Sequence, residues 1–107
     1  MSVPHDDLVR SIRIYLSEIG ALSLKIDTPG LLYDRNRTPV KIGTKGVLDI
    51  AACLKGRFLA IDAKIGRDRL KDRQVDYANA VERAGGIAFA AWSIDDVAKR
   101  LRMEGLL

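Results

Sequence analysis

The chain has 107 residues and a net charge of +4, with 48% hydrophobic and 30% charged residues. That is enough apolar material for one core, and the length suits one domain over 1–107. No apolar run approaches the ~20 residues of a membrane span, so no membrane partner is expected. No signal-like stretch precedes the charged start, and the expected compartment is the cytoplasm. The single cysteine, Cys53, excludes an intramolecular disulfide and a cysteine-based zinc site, and within its apolar run it reads as a small core residue.

In chain order, residues 1–5 read as a frayed tail, including the only histidine, His5. A first helix is expected from Asp6 or Asp7 to Ile19. Leu8, Val9, Ile12, Leu16 and Ile19 form its apolar stripe, Asp6 and Asp7 suit its N-terminus, and Gly20 ends it. Residues 21–26 follow as a short strand. Residues 27–45 carry Pro29, Gly30, Pro39 and Gly43 among polar residues and read as a long loop. Loops of that length in a compact domain are often functional. Leu31, Leu32 and Tyr33 are its candidate packed anchor, with base stacking a second option for Tyr33.

Two apolar runs, 47–54 and 57–64, flank Lys55-Gly56 and predict a β-hairpin. A two-residue turn fixes the register, so that Leu54 faces Arg57, Ile50 faces Ile61 and Asp49 faces Asp62. Side chains alternate along a strand, which puts Lys64 on the face of Asp62. Two carboxylates and an ammonium thus meet on a hairpin that otherwise reads as core. Like charges directly opposed are destabilising. One explanation is a divalent cation between them, since Mg²⁺ is held by one or two carboxylates plus phosphate and water. A lysine beside it would stabilise phosphate charge or position a water. The other is an exposed Asp at a strand start and an Asp–Lys pair on a solvated edge. The spacing alone leaves both open.

A second helix is predicted over 69–84, with Leu70, Gln74, Tyr77, Ala78 and Val81 on one face. Gln74 is the polar exception there. It either bonds the preceding loop or finds partners in the Asp/Lys site. Ala84-Gly85-Gly86 ends the helix, and 87–92 is a continuously apolar, buried strand with Trp92 as core. Ser93 and Asp96 form the capping box of a third helix, on which Leu101 and Met103 are expected to dock. Basic residues cluster on both sides of the hairpin: Arg35, Arg37, Lys41 and Lys45 before it, Arg67, Arg69, Lys71 and Arg73 after it. The clusters suit a polyanion such as DNA, or are ordinary surface residues.

The ordered set Gly46-Val47-Leu48-Asp49, Gly56, Asp62-Ala63-Lys64, Gly66-Arg67, Gln74, Ala84-Gly85-Gly86 and Ser93-Ile94-Asp95-Asp96-Val97 resembles the VRR-NUC family of the PD-(D/E)XK nuclease superfamily. The resemblance covers 43–97. Leu48 stands where that family often has proline, Asp62 where it usually has glutamate, and Lys45 where it has a small residue. The resemblance implies an α/β fold with a mixed four-stranded sheet and an αβββαβ core. It implies a metal-dependent DNA endonuclease in which Asp49 and Asp62 hold Mg²⁺ or Mn²⁺, with the Ala63 carbonyl as a further ligand. Lys64 would act on the attacking water, and Gln74 would orient Lys64 or that water. The family often carries a helix-1 Glu ahead of a Tyr-Leu pair. Tyr15-Leu16 fit that pair and place Asp7 at the Glu position, as a metal ligand beside its reading as a helix-start residue. Lys41, Lys45, Arg67, Arg69, Lys71 and Arg73 would then contact DNA. Branched DNA, including Holliday junctions, is the implied substrate, a homodimer the implied assembly, and no small-molecule cofactor is expected. The competing expectations are a nucleic-acid-binding module that does not cut, and a subunit of a larger restriction or repair complex.

Overall fold

The computed structural model describes residues 3–27, 31–33, 35–41 and 46–107. Among these the order is α1 (Pro4–Glu18), β1 (Leu22–Lys25), β2 (Leu31–Tyr33), β3 (Pro39–Lys41), β4 (Ile50–Leu54), β5 (Arg57–Ala63), α2 (Asp72–Arg83), β6 (Ile87–Ala91) and α3 (Ile94–Met103). A mixed four-stranded sheet runs β1-β4-β5-β6. β4 is antiparallel to β1 and β5, and β5 is parallel to β6. The parallel step is made through α2, as a strand–helix–strand unit requires. No helix among the described residues is long and apolar enough to cross a membrane.

The hairpin has the register that its turn dictates. Lys55 and Gly56 both take positive φ (51° and 80°), the pattern of a two-residue type I′ turn, and Leu54 pairs with Arg57 and Ile50 with Ile61. Alternation then sorts the two faces. Ile50, Ala52 and Leu54 of β4 and Leu59 and Ile61 of β5 join Ile12 and Leu16 of α1 and Val97 and Leu101 of α3 in the larger core. On the opposite face Ala60 and Ala88 pack with Leu48 and with Ala78 and Val81 of α2. The result is a layered α/β domain with helices on both faces of the sheet.

Several expectations are corrected. Pro4 opens α1 earlier than Asp6, because its fixed φ suits the first helical position and its missing N–H is one that a helix start leaves unbonded anyway. Residues 27–45 are not wholly loop, since β2 and β3 form a small antiparallel sheet within them. The side chains of Leu31, Leu32, Tyr33 and Lys41 lie outside the described set, as does Lys45 altogether. α2 begins at Asp72 rather than Arg69. Asp68 N–H donates to the Ile65 carbonyl in a turn, and Lys71 is extended, so helical geometry starts only after it. Lys71 N–H donates to Gln74 Oε1 (3.0 Å). An ammonium has no acceptor to offer in return, so the capping is one-sided.

Cys53 is exposed, not core. It alternates out of phase with Ala52 and Leu54 and pairs with Leu22 and Phe58, on the part of the face that α2 does not cover. Trp92 (42% exposed) and Met103 (81%) are also at the surface, whereas Leu101 and Leu106 are buried. Ser93 Oγ accepts from Asp96 N–H (3.1 Å), but the Asp96 carboxylate returns to the N–H of Trp92 (2.8 Å), one residue before the expected partner.

One contact ties the hairpin to α2. Gly46 has φ +76°, and a Cβ there would run into the backbone of Arg73 and Gln74. The segment leading to Asp49 therefore lies directly against the first turn of α2. We expect Gly46→Ala to combine a disfavoured conformation with a backbone clash and to cost about 2–4 kcal/mol in urea unfolding. Gly20→Ala, where φ is also positive but the space is open, should cost about 1 kcal/mol.

Candidate metal and catalytic site

The β4–β5 ladder ends at Ile50 and Ile61, and the next pair is Asp49 and Asp62. Here side chains take over the bonding from the backbone. Asp49 N–H donates to Asp62 Oδ1 (3.1 Å), and Ala63 N–H donates to Asp49 Oδ2 (3.0 Å). The Asp49 carbonyl meanwhile accepts from Ile26 N–H (2.7 Å), which fastens this strand start to the end of β1. The two carboxylates are thus fixed opposite each other at the sheet edge. Asp49 keeps 27% of its side chain exposed and Asp62 only 2%.

Lys64 follows the last residue of β5, and its N–H still donates to the Ala91 carbonyl of β6 (2.9 Å). Its ammonium, 6% exposed, lies 2.8 Å from Asp62 Oδ2 and 3.8 Å from Asp68 Oδ2. Gln74 completes the group from α2. Its Nε2 donates to Asp62 Oδ2 (3.2 Å) and its Oε1 accepts from Lys64 Nζ (3.1 Å). The same Oε1 accepts from Lys71 N–H, so the amide that orients Lys64 is itself anchored at the helix start. Both readings of Gln74 are therefore present at once. Among the described residues no buried side-chain polar atom lacks a partner.

Burial raises the Asp62 pKa above its ordinary value. Asp49 adds to the rise, and the bond from Lys64 opposes it. The two carboxylates face each other at the sheet edge, and the Asp49 side chain is 27% exposed, so both offer oxygens of the kind a hard cation takes. The donor set therefore fits a hard divalent cation. No three His, Cys, Asp or Glu side chains converge as a metal cage among the described residues. The chain would supply two carboxylates and leave the remaining positions to carbonyl, water and phosphate oxygens, a common arrangement for Mg²⁺.

Sequence reasoning missed His5. Its Nε2 lies 3.0 Å from Asp49 Oδ2, so the residue belongs to the site and not to a frayed tail. The signal was Pro4, which, as a helix opener, places His5 in the first turn of α1. Burial lowers the His5 pKa, but hydrogen bonds and Coulombic attraction from Asp49, then Asp6, outweigh it, and the net shift is upward. Asp7, two residues on, pairs with Arg10 along the helix (3.3 Å). Arg67, Arg69 and Lys71 are exposed on the segment that joins β5 to α2, and Arg73 is exposed on the second residue of α2.

No family model and no curated protein matches the chain. Among solved structures the chain is similar to Hjc from Archaeoglobus fulgidus, a Holliday junction resolvase of an archaeal hyperthermophile. The TM-score is 0.56 at 19% identity, over 80% of this chain and 65% of that one. The chain therefore spans just under two thirds of the resolvase, and the likeness is one of fold.

His5 is the only histidine, so its ring resonances are unambiguous in NMR. In metal-free protein they should titrate above the ordinary value of 6.5, and Asp49→Asn should move them back down. A raised folded-state pKa means that this pair stabilises the fold fully below pH 6.5 and loses that contribution as pH rises through the raised value.

Proposed function

We propose that this chain is a metal-dependent DNA endonuclease of the VRR-NUC type that hydrolyses phosphodiester bonds in branched DNA. The observation that carries the proposal is the convergence of Asp49, Asp62, Lys64 and Gln74 at one sheet end, from two strands and a helix. Asp49 and Asp62 would hold Mg²⁺ or Mn²⁺, with the Ala63 carbonyl as a further ligand. The Asp7 carboxylate, one turn into α1, is a candidate additional ligand. A bound cation of this kind polarises a phosphoryl oxygen and lowers the pKa of water.

The rest of the chemistry belongs to the chain. Lys64 presents an ammonium whose position is fixed by Asp62 and Gln74. A preset charge of this kind stabilises a phosphorane without reorganising during the reaction, and it can hold an attacking water by hydrogen bonding. Gln74 is a positioning residue, since its bonds run to Lys64 and Asp62. The exposed Arg67, Arg69, Lys71 and Arg73, with Lys41 and Lys45 from the sequence before the hairpin, would take the flanking phosphates. The fold likeness to a Holliday junction resolvase supports a branched substrate.

Cutting both strands of a branch calls for two copies related by a two-fold axis. Leu22, Leu24, Cys53 and Phe58 form an exposed apolar row on the sheet beyond the cover of α2, and a second chain seated there would bury it.

The test is a panel of labelled linear, nicked, forked and four-way DNAs incubated with Mg²⁺ or Mn²⁺. The wild type, running at twice the chain mass in light scattering, should cut the branched forms. Asp49→Asn and Lys64→Ala should each lose at least about a thousandfold in rate. Binding without cleavage of any substrate by the wild type would overturn the enzyme reading in favour of a binding module.

A further inference from the structure

Trp92 follows directly on β6, whose residues Ile87, Ala88, Phe89 and Ala91 are all buried, yet 42% of the residue is exposed. The ring is held in place there. Its indole N–H donates to the Gly66 carbonyl (3.1 Å), and its backbone N–H donates to Asp96 Oδ2 (2.8 Å). An aromatic surface with its one polar atom already satisfied and its orientation fixed offers a flat apolar face to a ligand at little entropic cost.

That face borders an open concavity of about 670 Å³ lined by Gly66, Arg67, Asp68, Arg69 and Trp92. Arg67 and Arg69 are exposed, and among the described residues neither guanidinium has an ion-pair partner. Arg10, Arg13, Arg57 and Arg100, by contrast, are engaged with Asp7, Ser23, Gly85 and Glu82. Asp68, the one acid of the lining, accepts from Arg69 N–H through one carboxylate oxygen and faces Lys64 through the other. The concavity is therefore net positive, with two guanidiniums free to take phosphate. Ala63 and Ala91 form the last pair of the β5–β6 ladder, so Trp92 is the next residue across from Lys64.

We propose that Trp92, Arg67 and Arg69 form a stacking platform for one unpaired nucleotide beside the scissile phosphate. The indole would take the base and the guanidiniums its phosphates. This rests on the nuclease reading and deepens it by naming what a branched substrate presents and a continuous duplex does not. In a duplex the bases are stacked on one another and cannot reach the indole. At a fork with a splayed single-stranded arm an unpaired base is available, and stacking on an aromatic ring accepts any base because each has a π-face. The volume lies within the range of small-molecule sites, roughly 300–1,000 Å³.

Trp92 is the only tryptophan, so intrinsic fluorescence reports on this one ring. The full chain carrying Asp49→Asn is titrated with a labelled duplex and with the same duplex bearing a splayed single-stranded arm. Anisotropy follows binding while indole emission is recorded. The forked DNA should quench the indole and the duplex should not. Trp92→Ala should weaken forked-DNA binding by about tenfold with duplex binding unchanged, and Trp92→Phe, which keeps a stacking ring, should recover most of the loss. Forked DNA bound without quenching and with equal affinity by Trp92→Ala overturns the platform and leaves the nuclease reading standing. Equal quenching by duplex also overturns it. No binding of either DNA by Asp49→Asn and by the wild type alike removes the nuclease reading and the platform together.

Discussion

The carboxylate of Asp62 is the constraint on which the structure depends. It is 2% exposed and needs partners for an anion inside an apolar sheet. Asp49 N–H, Gln74 Nε2 and Lys64 Nζ supply them from β4, α2 and the end of β5. Each partner fixes something larger. The Asp49 bond continues the hairpin register past the end of its backbone ladder. The Gln74 bond sets how the first turn of α2 lies over the sheet, and Gly46 allows the backbone approach that this requires. Lys64 carries β5 to its contact with β6.

Stability alone does not explain such an arrangement. A buried ion pair is often no better than a well-packed apolar replacement, because the desolvation cost rivals the attraction. Here the cost is visible in the raised pKa of Asp62, to which Asp49 contributes. An apolar pair at 49 and 62 would continue the cores that Leu48 and Ala60 already build on this face. The local rule is broken at one place, and among the described residues the buried side-chain polar atoms there all have partners, as expected of a polar site that the proposed chemistry would use. Asp49, unlike Asp62, keeps part of its side chain exposed, with His5 3.0 Å from its Oδ2.

The site was legible in the sequence where short-range rules act. Lys55-Gly56 fixed a register, and the register alone brought Asp49 opposite Asp62 and put Lys64 on the same face. Helical periodicity placed Gln74 on the packed face of α2, and its amide then had one polar neighbourhood to join. The misses share a physical cause. Cys53, Trp92 and Met103 are apolar residues in apolar runs, and composition cannot say which stretch of a sheet face a helix will cover. α2 covers Ala60 of β5 and Ala88 of β6 but leaves the Leu22–Cys53–Phe58 row exposed. His5 meets Asp49 across 44 positions of chain, a contact set by how α1 docks and not by any local pattern. The β2–β3 pair was hidden because its connection is longer than a two-residue turn and β3 opens on Pro39.

Everything proposed for this site requires the carboxylates of Asp49 and Asp62 to hold one divalent cation jointly. Mn²⁺ binding, followed by the loss of the free-ion EPR signal, tests it without DNA or turnover. The wild type should bind the ion, and Asp49→Asn and Asp62→Asn should each abolish that binding with the far-UV circular dichroism of both variants unchanged. Binding that survives in either variant, or that the wild-type chain never shows, would contradict it.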